Sequence, residues 1–344
     1  MSIQIADCSL RDGGYVGDKN FPKEFIEAVL QGLVDAGIDY IETGFLQSNV
    51  TGETLVYGNS KDIRKYLPTT KGTSEFVGFC DNSRYCLEKL DDYDGKSFSV
   101  LKISFAKHEW KEALTFSAGA KEKGYQVFVQ PMDANGYTAE ERSEMIREVN
   151  KFKPAAFAIV DTFGTMLLDD VERIFNQINK ELDKEIKIAL HTHNNLNMAN
   201  ALVEELINLC VAAGRDVVVD GSLLGMARGA GNSSTEAIAA YINSRFGGNY
   251  NVPALIALIE KYIIPIRRET FWGYDLPMFI CGTEGSHVDN IGYLEKNTDC
   301  DYSDMYKVIH SIIPEKRKRY GANYSKTDFT DLQNAYNRYR GKDE

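Results

Sequence analysis

The sequence predicts an α/β protein: a closed (β/α)8 barrel, or TIM barrel, followed by a C-terminal helical extension. Short apolar, β-branched runs alternate with longer amphipathic stretches, and eight such units fit into about 245 residues, a usual barrel size. The runs are almost continuously apolar, as in Ala155–Val160, which is typical of parallel strands buried on both faces. An open, doubly wound sheet would also alternate strand and helix, but eight regular units favour the closed barrel.

Each predicted unit begins with a strand and ends with a helix. The predicted strands are Ile3–Cys8, Ile38–Gly44, Glu75–Cys80, Ser99–Phe105, Gln126–Pro131, Ala155–Asp161, Ile186–His191 and Val217–Gly221. The predicted helices are Pro22–Ala36, Lys61–Tyr66, Ser83–Leu90, Trp110–Lys123, Ala139–Lys151, Asp169–Leu182, Asn197–Ala213 and Ser233–Phe246. Glycines such as Gly37 and Gly214 follow helices, where a left-handed cap is favoured. We therefore expect a catalytic barrel over residues 1–247 and the helical extension over residues 248–344.

Composition excludes several classes of partner. The 344 residues include 39 Lys and Arg against 50 Asp and Glu, a net charge of −11, so no basic surplus exists to neutralise nucleic-acid phosphates. No apolar stretch is long enough to span a membrane, and the N-terminus lacks a signal-peptide pattern. The six cysteines are scattered, without zinc-type spacing, and indicate reduced thiols. We expect a cytoplasmic protein that acts on a small molecule.

Two histidines at the end of the seventh predicted strand form the first candidate site. His191 and His193 are two residues apart, so both side chains point to one face, which at a barrel strand's end is the mouth. Two imidazoles there can share a metal ion; two hydrogen-bonded surface histidines are the alternative. Asp12, in the loop after the first strand, is the best third ligand, although Arg11–Asp12 alone could be a surface ion pair. Such a mixed N/O set suits Mn²⁺ or Mg²⁺, with Co²⁺ and Zn²⁺ as alternatives.

The glycine-rich loop after the eighth strand, Gly225–Asn232, is the second candidate site. Its glycines let backbone amides approach a ligand closely. Asn232 stands where a helix N-cap is expected, and either caps alone or also turns its amide oxygen to the metal. Arg228 either meets an anionic group of the substrate or is a simple solvent-exposed arginine.

Three segments together resemble the DRE-TIM metallolyases, the HMGL-like superfamily of metal-dependent pyruvate aldolases and acyl-CoA lyases and synthases. The segments DCSLRDGG, HTHNN and DGSLLGMARGAGN are similar to D-x-T-L-R-D-G, H-x-H-N-N and D-A-S-L-x-G-M-G-x-G-A-G-N of the 4-hydroxy-2-oxovalerate aldolase catalytic domain. The resemblance covers roughly residues 3–245, in the order and spacing of a barrel.

The resemblance implies a role for each matched residue. Asp12, His191 and His193 would hold a divalent metal ion, with Asn232 as a further ligand. Arg11, paired with Glu42, would hold the developing enolate oxygen, and Thr162 would hydrogen-bond the substrate carboxylate. Breaking a C–C bond next to a carbonyl passes through an enolate, which a metal ion and a fixed guanidinium both stabilise.

Two departures from the family patterns matter. The aldolases have a histidine base three positions after the metal-binding aspartate, where this chain has Tyr15, a poor base at neutral pH unless its pKa is lowered. Tyr15 would then orient the substrate, and His287 is the candidate replacement, ahead of His108; a structural or surface role stays open for both histidines. In addition, no cysteine lies between Leu223 and Gly231, and RDGGY replaces the synthases' R-D-G-E-Q, which disfavours HMG-CoA lyase and isopropylmalate or citramalate synthase activity.

We therefore expect a metal-dependent carbon–carbon lyase that cleaves or forms a bond next to a 2-oxo acid through a pyruvate-like enolate, with an aldehyde as the second substrate. A Claisen-type transferase that condenses an acyl-CoA with a 2-oxo acid is one alternative. A non-catalytic barrel that binds a metal and a 2-oxo acid is the other. The resemblance leaves open a homodimer and a dehydrogenase partner.

Overall fold

The computed structural model describes residues 1–318 and 329–341. Within them, eight parallel strands form a closed barrel, because β1 (Ile3–Asp7) pairs with both β2 (Tyr40–Leu46) and β9 (Val217–Gly221). Between β2 and β9 the sheet runs through β4 (Glu75–Asp81), β5 (Val100–Phe105), β6 (Gln126–Pro131), β7 (Ala156–Asp161) and β8 (Lys187–Thr192). The short strand β3 (Val56–Tyr57) adds to β2. The predicted fold class and all eight predicted strands are confirmed.

Six α-helices accompany the barrel strands, close to the predicted positions. They are α1 (Lys23–Asp35), α2 (Trp110–Glu122), α3 (Ala139–Phe152), α4 (Leu168–Glu181), α5 (Ala199–Ala213) and α6 (Thr235–Phe246). Two predicted helices are wrong: residues 61–66 and 83–90 contain only the 3₁₀ turns Ser60–Lys65 and Leu87–Lys89. In the second segment Asp81 explains the difference, since its carboxylate accepts hydrogen bonds from the Ser83 backbone N–H (2.9 Å) and hydroxyl (2.6 Å), which favours a turn over a helix.

The barrel buries two apolar layers. One lies between strands and helices, and the other fills the interior with small and branched side chains such as Ala6, Val100 and Val218. The predicted cap at Gly214 is confirmed, since this residue ends α5 with φ +65°.

The predicted helical extension is also observed. It contains α7 (Val252–Leu258), a π-helical turn (Ile259–Ile263), α8 (Ile264–Glu269), α9 (Leu276–Glu284), α10 (Val288–Asn297), α11 (Tyr302–His310), α12 (Pro314–Arg317) and α13 (Thr330–Arg340). Helix α7 packs on α1, where a Cβ on Gly32 would lie 2.7 Å from the Leu258 side chain. Helices α9–α11 and α13 enclose a second apolar cluster. The boundary at residue 247 stays a prediction.

The extension also contacts the loop that follows β9. The Trp272 indole N–H donates to the Leu224 carbonyl (3.0 Å), and the Gly273 N–H donates to the Gly229 carbonyl (2.9 Å). None of the helices described is both long and apolar enough to cross a bilayer.

Candidate active site

Arg11 is held rigidly at the barrel mouth. Its Nε lies 2.5 Å from Glu42 Oε2 on β2, one Nη lies 3.0 Å from Asp12 Oδ1, and the guanidinium carbon is 4.2 Å from the centre of the Phe79 ring. Burial acts to lower the pKa of Arg11, but the neighbouring carboxylates of Asp12 and Glu42 outweigh it and raise that pKa. The side chain is therefore a permanent, oriented cation.

The two predicted histidine ligands converge on one oxygen of Asp12. His191 Nε2 lies 3.4 Å and His193 Nε2 lies 3.5 Å from Asp12 Oδ2. Behind them, His191 Nδ1 contacts Asp220 Oδ2 at 3.1 Å, and His193 Nδ1 contacts the Asp161 carbonyl at 3.0 Å. Carboxylate and carbonyl acceptors at Nδ1 are the usual support of metal-binding histidines, because they turn the Nε2 lone pair toward the ion.

Asn232 lies beside the same carboxylate. Its Nδ2 donates to Asp12 Oδ2 (2.8 Å) and to Cys8 Sγ (3.2 Å), while Oδ1 is buried without a hydrogen-bond partner among the residues the structure describes. A buried amide oxygen without a donor is costly, and a cation would relieve that cost. The predicted N-cap is wrong, since α6 begins at Thr235 after Ser234.

These donors fit a divalent metal ion. Two imidazoles, a carboxylate and an orphaned amide oxygen form a mixed N/O set that suits Mn²⁺ or Mg²⁺. Cys8 Sγ also lies within 4.8 Å of donor atoms of Asp12 and His191. However, burial raises the pKa of Cys8 well above its usual value, and the thiol donates to the Gly221 carbonyl (3.1 Å), so Cys8 is a neutral neighbour.

Lys102 completes the site and was not among the predicted residues. It is fully buried on β5, and its Nζ lies 2.7 Å from Glu42 Oε1 and 2.6 Å from Asp220 Oδ1. Burial acts to raise the pKa of Asp220, but Lys102 and His191 outweigh it and hold that pKa at about 2. An unbroken chain of charged contacts thus joins Arg11 to His191. The signal in the sequence was a lone lysine within the apolar strand SVLKISF.

The formal charges of this cluster also favour a cation. Three carboxylates, on Asp12, Glu42 and Asp220, face the two cations of Arg11 and Lys102. Burial acts to lower the pKa of His191, but Asp12 and Asp220 outweigh it and raise that pKa to about 8, so a proton on His191 balances the cluster at neutral pH. With His191 neutral the cluster is one negative charge in excess, and a divalent ion in place of that proton would make it one positive charge in excess. Such a site attracts an anionic substrate although the whole chain is acidic.

A cavity of about 370 Å³ opens above these groups. The predicted residues on its wall are Arg11, Asp12, Tyr15, Thr162, His191, His193, Arg228 and His287. Glu42 supports Arg11 from behind. Thr162 Oγ1 accepts a hydrogen bond from the Asp133 N–H (2.8 Å), which leaves its hydroxyl hydrogen able to reach a ligand.

Tyr15 occupies the position of the family's histidine base. Its ring packs edge-on against Phe45, with centroids 5.3 Å apart, and the Arg228 guanidinium carbon lies 5.2 Å from the Tyr15 centroid. Burial raises the pKa of the phenol, although Arg228 and Arg11 oppose the shift. The phenol therefore keeps its proton at neutral pH.

The extension contributes His287 to the cavity. Its Nδ1 accepts a hydrogen bond from the Asp289 N–H (3.1 Å) and so caps α10, while Nε2 lies 2.9 Å from Arg228 Nη2. A structural role for His287 is thus observed beside its place on the cavity wall. His108, in contrast, is 68% exposed and lines a separate groove with Trp110.

Comparisons with known proteins find aldolase and decarboxylase relatives. Residues 99–257 match the HMGL-like family model. The 4-hydroxy-2-oxovalerate aldolase of Thermomicrobium roseum is 27% identical over 271 residues, 76% of this chain and 73% of that protein. The oxaloacetate decarboxylase of Mycobacterium tuberculosis is 25% identical over 244 residues, 70% of each chain.

Solved structures share the fold. The N-terminal domain of a candidate aldolase from Bacteroides vulgatus superposes with a TM-score of 0.70 at 20% identity, over 86% of this chain and 97% of that one. The Bacillus subtilis HMG-CoA lyase gives a TM-score of 0.60 at 18% identity, over 77% of this chain and 94% of that one.

Proposed function

Since the chain carries an HMGL-like domain, we propose that it is a divalent-metal-dependent carbon–carbon lyase that releases or adds a pyruvate-type enolate. The observation that carries the proposal is the convergence of His191 and His193 on Asp12, with Arg11 fixed alongside. Aldolase and decarboxylase relatives support the reaction class.

In the cleavage direction, the C3–C4 bond of a 4-hydroxy-2-oxo acid breaks. The C4 hydroxyl gives its proton to a base, C4 becomes an aldehyde carbonyl, and the electron pair remains on the pyruvate enolate, which then takes a proton at C3. A divalent ion bound at Asp12 would polarise the 2-oxo group as a Lewis acid. Arg11 stabilises the developing enolate oxygen through its charge, and Glu42 and Phe79 keep the guanidinium in place. Thr162 donates its hydroxyl hydrogen to the substrate carboxylate.

An aldolase and a decarboxylase differ in whether they need a base, because only the aldolase must remove a proton from a substrate hydroxyl. Tyr15 is protonated at neutral pH, so it orients the substrate by donating a hydrogen bond. His287 is the remaining candidate base on the cavity wall, and it could accept a proton only by giving up the hydrogen bond that its Nδ1 accepts from the Asp289 N–H. Decarboxylation of oxaloacetate requires no base for a hydroxyl proton, because the bond to the leaving carboxylate breaks directly to the enolate and CO₂. A raised Tyr15 pKa therefore favours decarboxylation as the second candidate function.

The test is deuterium exchange at the methyl group of pyruvate, with and without Mn²⁺ or Mg²⁺. We expect metal-dependent exchange in the wild type and its loss in His191→Ala. His108→Ala, which changes an exposed histidine outside the cavity, is the matched control and should exchange normally. Exchange that needs no metal, or that survives His191→Ala, would contradict the proposal. Pyruvate release from 4-hydroxy-2-oxovalerate and from oxaloacetate then separates aldolase from decarboxylase.

We further propose a cytoplasmic location, which all six cysteines support by being free thiols. Three statements stay predictions: that the metal is Mn²⁺ or Mg²⁺, that the protein forms a homodimer, and that it has a dehydrogenase partner.

A further inference from the structure

A glutamine on β6 faces the cavity from the side opposite the first metal-binding residue. Side chains alternate along a strand, and Phe128, two residues before Gln130, belongs to the apolar layer inside the barrel. Gln130 therefore points inward as well, one layer nearer the mouth, where it lines the cavity and is only 2% exposed. Around the barrel, β6 is four strands from β1 in either direction, so Gln130 stands across from Asp12.

The side-chain amide of Gln130 has a donor without an acceptor. Its Nε2 is buried and forms no hydrogen bond with any residue that the structure describes. On one side, Ser104 of β5 is its partner in the strand register, but the Ser104 hydroxyl donates to the Cys80 carbonyl (3.4 Å). On the other side, β7 presents the apolar side chains of Ala158 and Val160. A ligand in the cavity can supply the acceptor, and a buried donor left unpaired would otherwise cost free energy.

The 2-oxo acid part of the substrate does not need this donor. In the proposed reaction Arg11 stabilises the enolate oxygen, and Thr162 donates to the substrate carboxylate. These two residues leave the oxygen on C4, which departs as the aldehyde oxygen, without a donor. Negative charge grows on that oxygen as the base removes its proton, and a fixed N–H group stabilises such charge.

We propose that the Gln130 side-chain amide donates a hydrogen bond to the C4 oxygen of the substrate and selects substrates that carry an oxygen there. The inference rests on the proposed function, which places the 2-oxo acid end of the substrate at Asp12 and Arg11. The substrate class is then a 2-oxo acid with a hydroxyl group on C4, and not one with a plain hydrocarbon chain. The amide is neutral and takes up no proton, so the hydroxyl proton still goes to the base.

Two ligands of equal chain length test the donor without aldol cleavage. 4-Methoxy-2-oxobutyrate has an ether oxygen on C4, which accepts a hydrogen bond but has no proton to lose, and 2-oxohexanoate has a CH₂ group in its place. Titration calorimetry in the presence of Mn²⁺ gives a Kd for each ligand. We expect the ether to bind about threefold to tenfold more tightly, the range for one hydrogen bond between neutral groups. Equal affinity, or tighter binding of 2-oxohexanoate, would overturn the proposal.

Substitutions at residue 130 assign the preference to the amide. Gln130→Met keeps the length of the side chain without the donor, and Gln130→Leu is a second apolar replacement in case one variant fails to fold. Each should bring the two Kd values within about twofold of each other or reverse their order. Gln31→Met, which changes a glutamine on α1 that donates to Asp35, is the matched control and should keep the wild-type ratio. A ratio that neither variant of Gln130 reduces would refute the assignment.

Stability separates a ligand-binding glutamine from a structural one. Because Nε2 has no acceptor among the described residues, its removal should leave the melting temperature of the protein without ligand unchanged or higher. A lower melting temperature in both variants would show that the amide supports the fold and would overturn the proposal. Deuterium exchange of pyruvate by the wild type reports separately: exchange without the ether preference refutes the role of Gln130 alone, and the ether preference without exchange refutes the lyase alone.

Discussion

Replacing Lys102 by methionine removes one charge and keeps most of the side-chain volume. In the wild type Lys102 Nζ lies within 2.7 Å of carboxylates on both β2 and β9, and no part of the side chain is exposed. Burial acts to lower the pKa of Lys102, but Asp220 and Glu42 outweigh it and raise that pKa, so the lysine is charged. In the variant, Glu42 would keep only Arg11 as a partner and Asp220 only His191, and the two carboxylates would face each other in the barrel interior without the cation between them.

Lys102→Met should lose a large part of the free energy of unfolding. Removing one partner from a buried ion pair costs about 3–5 kcal/mol, because the remaining charge is buried and uncompensated. Total unfolding free energies are about 5–15 kcal/mol, so Lys102→Met should lose roughly a fifth or more of the unfolding free energy. The loss should shrink in acid, where the buried pair of carboxylates takes up a proton. Activity should fall about 100-fold, since Glu42 and Asp220 would no longer hold Arg11 and His191 in place.

The assays are urea unfolding of the metal-free protein and deuterium exchange of pyruvate by the protein loaded with Mn²⁺. Lys187→Met is the matched control, because Lys187 also lies on a barrel strand but contacts the neutral Gln4 Oε1 (2.7 Å) and Tyr40 hydroxyl (2.9 Å). Lys187→Met should lose less unfolding free energy than Lys102→Met. If Lys102→Met does not fold, the double variant Lys102→Met/Glu42→Gln should recover stability by removing one of the two carboxylates. A loss below about 1 kcal/mol with normal exchange would refute the reasoning.

Three further predictions follow from single residues. Burial raises the pKa of Asp7 from 3.8 to about 7, so its protonated form stabilises the fold below pH 4 and that contribution disappears as the pH rises to 7. Asp7→Asn keeps the hydrogen bond from the Ser9 N–H and reverses the one with Thr235, whose hydroxyl oxygen would accept from Nδ2. The variant should gain on the order of 4 kcal/mol relative to the wild type between pH 4 and pH 7 in urea titrations; parallel pH profiles would contradict this. Tyr15→Phe should lower kcat/KM for pyruvate-releasing turnover less than about tenfold, whereas loss of a general base would cost about 10²–10⁴-fold. Asn232→Ala should weaken Mn²⁺ binding by about tenfold or more in calorimetry and lower the melting temperature of the metal-free protein, because the buried donor to Asp12 is lost; an unaltered Kd would exclude the amide as a ligand.

The strands were predictable because a barrel strand is apolar on both faces, and short apolar runs between glycines have few other interpretations. Turns that depend on a single side-chain hydrogen bond were harder to predict from the sequence. Residues 83–90 have a helical pattern, but the Asp81 carboxylate captures the Ser83 donors and starts a turn instead. The predicted N-cap of α6, Asn232, lies two residues before the observed N-cap, Ser234. Asparagine and serine are both favoured at N-caps, so residue type alone does not separate the two positions.

The site was predictable where residues adjacent in sequence carried it, as in Arg11–Asp12 and in the pair of histidines. Lys102 could not be found this way. Its partners lie 60 and 118 residues away, and only the register of the closed sheet places them beside it. A lysine in an apolar strand signals a buried counter-charge, but its partner depends on tertiary structure.

The contacts between Trp272 and the loop after β9 link the extension to Asn232, one of the proposed metal ligands. That loop carries Asn232, and it includes Leu224 in a left-handed conformation (φ +54°) whose carbonyl is held by the Trp272 indole. A cation held by Asn232 would thus stabilise the same loop as the docking of the extension. By thermodynamic reciprocity, the ion should strengthen docking by the same factor as docking strengthens ion affinity. The measured metal affinity would then report how firmly the described helices of the extension pack on the barrel, and protease protection of those helices would report metal occupancy.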